Sequence, residues 1–403
     1  MKVLYLSSVL PKRSETFVYK ELLGLRRLGV DVAAASLYAP EANLGEKELE
    51  HLAAEVVTVY PGGMGRLLRD AAAWFFRHPL RAGATLALAK WDALAARDLR
   101  LKDRPKVVIQ GLAGLALARR VEAAGITHVH VHMAHAAATV GMYAARALGV
   151  PFSFTGHAAD LFRERCLLAA KLRRAAFVAC ISEWHRGWYR TIVDRPDGEY
   201  PVIRCGVDVP PEPTPPSAPR ELRLAGLGRL VPKKGFDILI EACRRLSDAG
   251  EKFSFAIAGD GPELDRLKSL AAGLPVRFPG AVANRDVPAL LAETDLFVLP
   301  CRVSGDGDRD GIPVVLMEAM AQGVCAVSGD LPTIRELIRD GESGCLVAPG
   351  DPAALADCLS RLAAGPELRH RLAAGGRRRV EEEFSSQKNL DRMLGALTRS
   401  HTK

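Results

Sequence analysis

Residues 306–323 read DGDRDGIPVVLMEAMAQG, and the two halves of this stretch ask for different backbones. The first half is polar and glycine-rich, with Gly305, Gly307 and Gly311 in a loop that runs into Pro313. Proline has a fixed φ and no N–H, so Pro313 suits a first helical position. The run 314–321 behind it consists mainly of helix formers. Upstream, residues 294–300 (TDLFVLP) form a short apolar run of the kind that makes a buried parallel strand. The predicted unit is therefore strand, glycine loop, helix. Free N–H groups and the positive end of the helix dipole attract an anion there, and glycines let the backbone approach a phosphate closely.

Two carboxylates bracket this anion site. Asp310 stands in the loop and Glu318 about a turn and a half inside the helix, roughly 8–10 Å apart by helical rise and chain reach. Carboxylates make charge-assisted hydrogen bonds to vicinal hydroxyls, so the pair suits a sugar and a ribose on either side of a diphosphate. An ordinary turn residue and a helix-surface residue are the plainer alternative. The spacing Asp310-x7-Glu318 within DGIPVVLMEAMAQG resembles the E-x7-E region of the retaining glycosyltransferases of family 4 (group 1). Aspartate replaces the first glutamate, which keeps the carboxylate and shortens its reach. The resemblance implies that Glu318 holds the ribose, Asp310 the sugar hydroxyls, and the backbone around Gly311, Ile312 and Pro313 the phosphate or sugar.

With 403 residues, 48% hydrophobic and 25% charged, the chain is large enough for two domains of about 200 residues, each with its own core. The start, MKVLYLSSVL, reads as a first β-strand, and no run of eighteen apolar residues suggests a membrane span. Eight scattered cysteines without a Cys-x-x-Cys pair read as core residues of a reducing cytoplasm. The net charge of +8 is concentrated in residues 62–120, which hold twelve basic and four acidic residues. Trp74, Phe75, Phe76, Leu80, Leu86, Leu88, Trp91 and Leu94 interleave with that charge. The pattern fits amphipathic helices on an anionic membrane surface, or helices packed on the sheet with solvated arginines outward. No nucleic-acid module accompanies the charge, so nucleic acid is not expected as a partner.

Along the chain, a strand at 2–8, a helix at 18–28 and a strand at 30–37 open a doubly wound sheet, in which ligands bind at the C-terminal ends of strands. The stretch PKRSETFVYKELLGLRRLGVDV (11–32) resembles the opening of family 4 enzymes of exopolysaccharide synthesis. That resemblance implies Ser14, Glu15 and Thr16 on the acceptor side, although Ser14 also suits a helix cap. In ITHVHVHMAH (126–135), His128, His130 and His132 share one strand face. Three such positions span about 13 Å, too wide for one ion, so no metal is expected. The resemblance instead places His132 and His135 near the site. In PFSFTGHAAD (151–160) a strand ends in Thr155-Gly-His157, with Asp160 following. By resemblance His157 touches the donor sugar and Asp160 faces the acceptor.

YPVIRCGVD (200–208) resembles the turn that closes the first domain in this family, with Cys205 in place of asparagine. The proline-dense run 209–219 is the expected linker. In GRLVPKKGFD (228–237), Gly228 opens a turn from which Arg229 and Lys234 can both point at a diphosphate. Two cations suit a departing nucleoside diphosphate, whose charge grows as the glycosidic bond breaks. FAIAGDGP (255–262) offers a second glycine turn, with Gly259 and Gly261, resembling the family loop near the nucleotide.

The expected fold is α/β with GT-B architecture, two doubly wound Rossmann-like domains facing a cleft: 1–208 for the acceptor, with 62–120 as a basic amphipathic insertion, a linker at 209–219, 220–380 for the nucleotide sugar, and a C-terminal helix (381–403) returning toward the first domain. The resemblance implies transfer of a hexose from a nucleoside-diphosphate sugar, UDP-sugar favoured, to an acceptor hydroxyl with retention. The acceptor class it implies is a saccharide or polyprenyl-linked oligosaccharide of exopolysaccharide assembly. The donor is a substrate, no separate cofactor is required, and the enzyme is expected in the cytoplasm at the inner face of the membrane. A nucleotide-sugar epimerase of the same fold and a non-catalytic nucleotide-sugar-binding scaffold are the alternatives.

Overall fold

The computed structural model describes residues 1–42, 44–96, 98–157, 159–162, 166–212 and 221–401. The chain divides into two compact units, residues 1–203 with 390–403, and residues 204–389. The division falls at Ile203/Arg204 rather than after Asp208, because Val207 pairs with Ser385 and takes a hydrogen bond path (Val207 N to Phe384 O, 2.9 Å) into the second unit. Most of the expected linker, residues 213–219, lies outside the described residues.

In the first unit, β1 (Lys2–Ser7), α1 (Thr16–Arg27), β2 (Asp31–Ser36), α2 (Lys47–Glu55) and β3 (Val57–Thr58) lead into α3 (Gly63–Arg77), α4 (Pro79–Ala95) and α5 (Arg104–Val121). There follow β4 (His128–His132), α6 (Ala136–Leu148), β5 (Phe152–Gly156), α7 (Ala159–Phe162), α8 (Leu168–Arg174), β6 (Phe177–Cys180) and α9 (Glu183–Ile192). The six strands are parallel in the order β3-β2-β1-β4-β5-β6. Winding reverses between β1 and β4, so the ligand position expected of such a sheet lies beyond the C-terminal ends of these two strands. Both sheet faces are covered, which is why the strands are apolar almost throughout. Val3 and Tyr5 pack with Val18 and Leu22 of α1 on one face, and Leu4, Leu6, Val129 and Val131 pack toward α5 and α6 on the other.

The second unit contains β7 (Leu222–Leu227), α10 (Phe236–Asp248), β8 (Phe253–Ala258), α11 (Leu264–Leu270), β9 (Val276–Gly280), α12 (Val287–Ala292), β10 (Leu296–Leu299) and α13 (Val314–Ala321). It continues through β11 (Cys325–Gly329), β12 (Cys345–Val347), α14 (Pro352–Ala364) and α15 (Pro366–Glu383), and α16 (Ser386–His401) carries the chain back into the first unit. The sheet order is β12-β11-β10-β7-β8-β9, again parallel. Here the reversal lies between β7 and β10. The loops that follow these two strands are 228–235 and 300–313, the ones that carry Arg229, Lys234 and Asp310.

The basic segment folds as α3, α4 and α5, with Leu67, Ala71, Trp74, Ala82 and Ala89 turned into the first core. Several of its cations have internal partners rather than facing solvent alone. Arg120 binds Asp70 at 2.8 Å, Arg77 and Arg119 meet Glu122, and Arg81 donates to Leu148 O. Arg97 lies outside the described residues. Among the described residues no helix is long and apolar enough to cross a membrane.

Candidate functional site

In the second unit, two loops meet beyond the C-terminal ends of β7 and β10. Their meeting requires glycine: Gly235 has φ +72°, and a Cβ there would sit 2.1 Å from Pro300 O. The neighbouring β8 loop closes on the same turn in the same way, since a Cβ on Gly259 (φ +140°) would lie 1.9 Å from Gly228 O. Hydrogen bonds stitch the loops together: Leu230 N to Asp260 O at 2.8 Å, Gly228 N to Ala258 O at 3.0 Å, and Arg302 N to Lys233 O at 2.9 Å. Arg302 also pairs with Asp237 at 2.8 Å and donates to Pro232 O.

Within this frame Lys234 Nζ lies 2.9 Å from the Asp310 carboxylate, and Lys233 Nζ lies 3.5 Å from Asp310 and 3.2 Å from Asp308. The Cys301 thiol donates toward Asp310 Oδ2 at 3.5 Å. Burial acts to raise the Asp310 carboxyl, but Lys234 and Lys233 outweigh it and hold the group below its ordinary value. Burial acts to lower Lys234, and Asp310 outweighs it and holds the ammonium above its ordinary value. The sequence reading gave Lys234 and Asp310 separate tasks on a ligand; in the structure they neutralise one another. Lys233, Asp308 and Cys301 were not singled out beforehand, although the Lys233-Lys234 doublet and the acidic run 306–310 are visible in the sequence. Among the described residues Arg229 pairs with no carboxylate; it is exposed, and its charge acts against that of Lys234. Pro313, expected as the first helical residue, is the N-cap of α13, with ψ 124°, and the helix begins at Val314. Ile312 is buried beside it, and Glu318 lies half-buried in the second turn of α13.

In the first unit, residues of β1, α1 and β4 and the residue that follows β5 form a chain of polar side chains. Tyr5 Oη donates to Glu21 Oε1 at 2.7 Å, His132 Nε2 lies 3.1 Å from the same oxygen, and His132 Nδ1 lies 3.1 Å from His157 Nε2. Phe17 packs on the His157 ring at 4.4 Å between centroids. His157 is 8% exposed; burial first, and then His132, push it down to about 3, so it is neutral. His185, packed behind it, meets His157 O through Nε2 at 3.1 Å and Ser182 Oγ through Nδ1 at 2.7 Å. Glu21, Tyr5 and His185 escaped the sequence reading because they come from other elements than the histidine strand. The spacing argument against a metal considered that strand alone; in the structure Glu21, His130 and His132 bring one ligand atom each within 4.8 Å of one another. Hydrogen bonding accounts for these atoms: His130 meets Ser153 Oγ at 2.8 Å and Thr155 Oγ1 at 3.1 Å, and His132 is engaged at both nitrogens.

Asp160, expected to face the acceptor, is 5% exposed, and its carboxylate accepts the backbone N–H of Ala134 at 2.7 Å and of His157 at 3.1 Å. Buried Lys171 donates to Ala134 O and His135 O at 2.6 and 2.8 Å. Together they brace the turn after β4, where Met133 adopts φ +76°, a conformation that costs a side-chain-bearing residue about 1 kcal/mol or more. His135 is the N-cap residue of α6. Ser14 does not cap α1: the N-cap is Glu15, whose side chain pairs with Lys12, and Thr16 is the first helical residue.

The amylovoran biosynthesis glycosyltransferase AmsK of Erwinia amylovora is 28% identical over 421 residues, covering 96% of each protein. WcaL of Escherichia coli, provisionally named a colanic acid biosynthesis glycosyltransferase, is 40% identical over 196 residues, 46% of this chain and 48% of that one. The chain thus spans about half the length of WcaL in that match. Among solved structures, HepE of Anabaena in complex with UDP superposes with a TM-score of 0.71 at 18% identity, covering 99% of this chain and 100% of that one, and the shared fold is GT-B. The family described as Glycosyl transferases group 1 matches residues 216–379, a range that includes Lys234, Asp310 and Glu318. Over those residues the chain is similar to the glycosyl transferases group 1 family.

Proposed function

We propose that the protein is a glycosyltransferase of exopolysaccharide assembly, moving a hexose from a UDP-sugar to an acceptor hydroxyl with retention, the acceptor being a lipid-linked oligosaccharide. The observation that carries the reading is the pairing of Lys234 with Asp310 where the winding of the second sheet reverses, next to the N-terminus of α13. An anionic diphosphate competes with Asp310 for Lys234, and Arg229, exposed beside it, adds a second cation. Charge that grows on the departing diphosphate is then met by groups already in place. Asp310, once its lysine is shared, has a carboxylate oxygen for a sugar hydroxyl, and Glu318 serves the ribose. His157 supports the sugar near the anomeric carbon, with Ser14, Glu15 and Thr16 toward the acceptor. The exopolysaccharide context is supported by AmsK and WcaL, and the UDP donor by the ligand of HepE.

Access to a lipid-linked acceptor is supported by an apolar surface on α3 and α4 and the loop after them. Phe76 is 83% exposed and Leu80 88%, with Trp91, Leu94 and Leu101 also exposed. Lys90, Arg100 and Lys102 flank them, so apolar insertion and attraction to anionic headgroups act together. The first test is a thermal-shift screen of the purified chain against UDP, GDP, ADP and their common sugar conjugates. Ligand bound only by the native state raises its melting temperature. Stabilisation by uridine nucleotides alone is the expected outcome; a response restricted to another base replaces the donor, and no response to any of them removes the nucleotide-sugar reading.

A further inference from the structure

We propose that Lys233 is the standing counter-ion of Asp310, a positioning residue that keeps this buried carboxylate charged and in place while a donor diphosphate draws Lys234 away. The inference rests on the nucleotide-sugar reading for the ligand that Lys234 meets, and the arrangement it needs lies wholly within the second unit. Asp310 stands between two ammonium groups, with Lys234 Nζ 2.9 Å from Oδ2 and Lys233 Nζ 3.5 Å from Oδ1. Asp308 completes the group, and the side chains of all four residues are between 9% and 13% exposed. These two cations and two anions balance among themselves. A diphosphate that recruits Lys234 upsets the balance, because it adds negative charge beside Asp310 and takes away the nearer of its two cations. A buried carboxylate left without a cation either repels the ligand or takes up a proton. Lys233 prevents both if it stays where it is when Lys234 turns.

The surroundings give the two lysines different freedom. Lys233 O accepts the N–H of Arg302 at 2.9 Å, which ties the residue to the loop after β10. Its Nζ lies 3.2 Å from each carboxylate oxygen of Asp308 and 3.5 Å from Arg309 O, so four oxygens of that loop, one of them on Asp310, hold it. Lys234 has one ion-pair partner among the described residues, Asp310. Its stem lies over Gly228, where a Cβ would come 3.5 Å from Lys234 Cε. The charged or titratable groups that face Asp310 are Lys233 and Lys234 from the loop after β7 and Cys301 at the head of the loop after β10, with Asp308 beside it on its own loop. Arg229 acts on Lys234, whose charge it opposes. Burial holds the Cys301 thiol well above its ordinary value, so it brings no charge. Lys233 is therefore the partner that remains to Asp310, and because it sits on Oδ1 it leaves Oδ2, released by Lys234, to a sugar hydroxyl.

The test is calorimetric titration of the full chain with UDP at pH 7 in buffers of different ionisation enthalpy, which counts the protons taken up per ligand bound. The wild-type count is the reference and contains the titration of UDP itself. Lys233→Met is expected to take up about half a proton or more beyond that reference, because Asp310 is neutralised when Lys234 turns to the diphosphate. A group whose pKa rises on binding makes binding weaker as pH rises, so the affinity of this variant should fall about tenfold more than that of wild type between pH 6 and pH 8. Lys233→Met also leaves Asp308 without its cation, so Lys233→Met with Asp308→Asn is measured beside it and carries the same expectation. In Lys233→Met with Asp310→Asn the extra proton disappears, which identifies its acceptor. Asp308→Asn alone separates this role from simple bracing of the loop: it breaks the Lys233–Asp308 pair, leaves Lys233 beside Asp310, and should keep the wild-type proton count. An extra proton in Asp308→Asn, its persistence without Asp310, or its absence from both variants that lack Lys233 and keep Asp310 overturns the proposal alone. A wild type that binds no UDP overturns the nucleotide-sugar reading and the proposal with it.

Discussion

Asp310 shows how one residue type can be legible and its situation not. Its place eight residues before Glu318 is plain in the sequence, but its neighbours Lys233 and Lys234 come from a loop more than seventy positions earlier. Removing one partner of a buried ion pair leaves the other uncompensated, at a cost of about 3–5 kcal/mol. Asp310→Asn is expected to cost that much at pH 7 in urea unfolding. A carboxyl held below its ordinary value contributes stability that is full above its unfolded-state pKa, about 4, and is lost as pH falls through the lower folded value. The gap between wild type and variant should therefore shrink at pH 3, and a gap of equal size at both pH values would take the ion pair out of the account. Two further substitutions separate the proposed roles. Lys234→Ala should lower kcat by about 10²-fold, as loss of one group that stabilises developing charge does. Glu318→Ala should instead weaken UDP binding about tenfold by calorimetry while leaving kcat at saturating donor closer to wild type. Interchanged outcomes would reverse the assignment.

Among the elements, strand and helix identities follow from local pattern, because parallel strands buried on both faces are continuous apolar runs and α13 begins where the glycine loop ends. The loops between them are decided by what they touch. Gly259 is an example: its φ of +140° is permitted by glycine, but the need for it arises from Gly228 O, thirty-one positions away, at 1.9 Å from where a Cβ would be. Gly259→Ala is expected to destabilise the second unit by about 1–3 kcal/mol and to reduce UDP binding by displacing the turn that carries Arg229. Thermal unfolding with and without UDP measures both, and an alanine variant with wild-type stability would mean that the loop has room to move. The histidine strand makes the same point. Its alternation put three imidazoles on one face, and neighbouring elements supplied the groups beside His132: Glu21 from α1, which meets its Nε2, and Tyr5 from β1, which donates to Glu21.

At the level of the whole molecule, the excess of positive charge in residues 62–120 was apparent from composition, and the fold divides it. Arg77, Arg81, Arg119 and Arg120 serve internal partners, whereas Phe76, Leu80 and Trp91 remain exposed. The proposed membrane contact therefore depends more on apolar insertion than on charge. Each fully inserted side chain of this size contributes about 1.5–3 kcal/mol, so Phe76→Ser with Leu80→Ser should reduce binding to vesicles containing anionic lipid by about tenfold or more. Donor binding should be unaffected. Vesicle binding unchanged by the pair would locate any membrane contact elsewhere.

Sequence alone determined the two-unit α/β plan, the strand–loop–helix unit at 294–321 and the residue types available to a diphosphate and a sugar. These are local properties: periodicity, glycine and proline placement, and spacing along one element. Tertiary structure decided which of those residues face one another, since the reversal of winding brings β7 beside β10 and β1 beside β4. Lys234 with Asp310, and Glu21 with His132 and His157, are consequences of that adjacency. Charge and proton position depend on such neighbours through burial and short-range electrostatics, and no spacing along the chain encodes them.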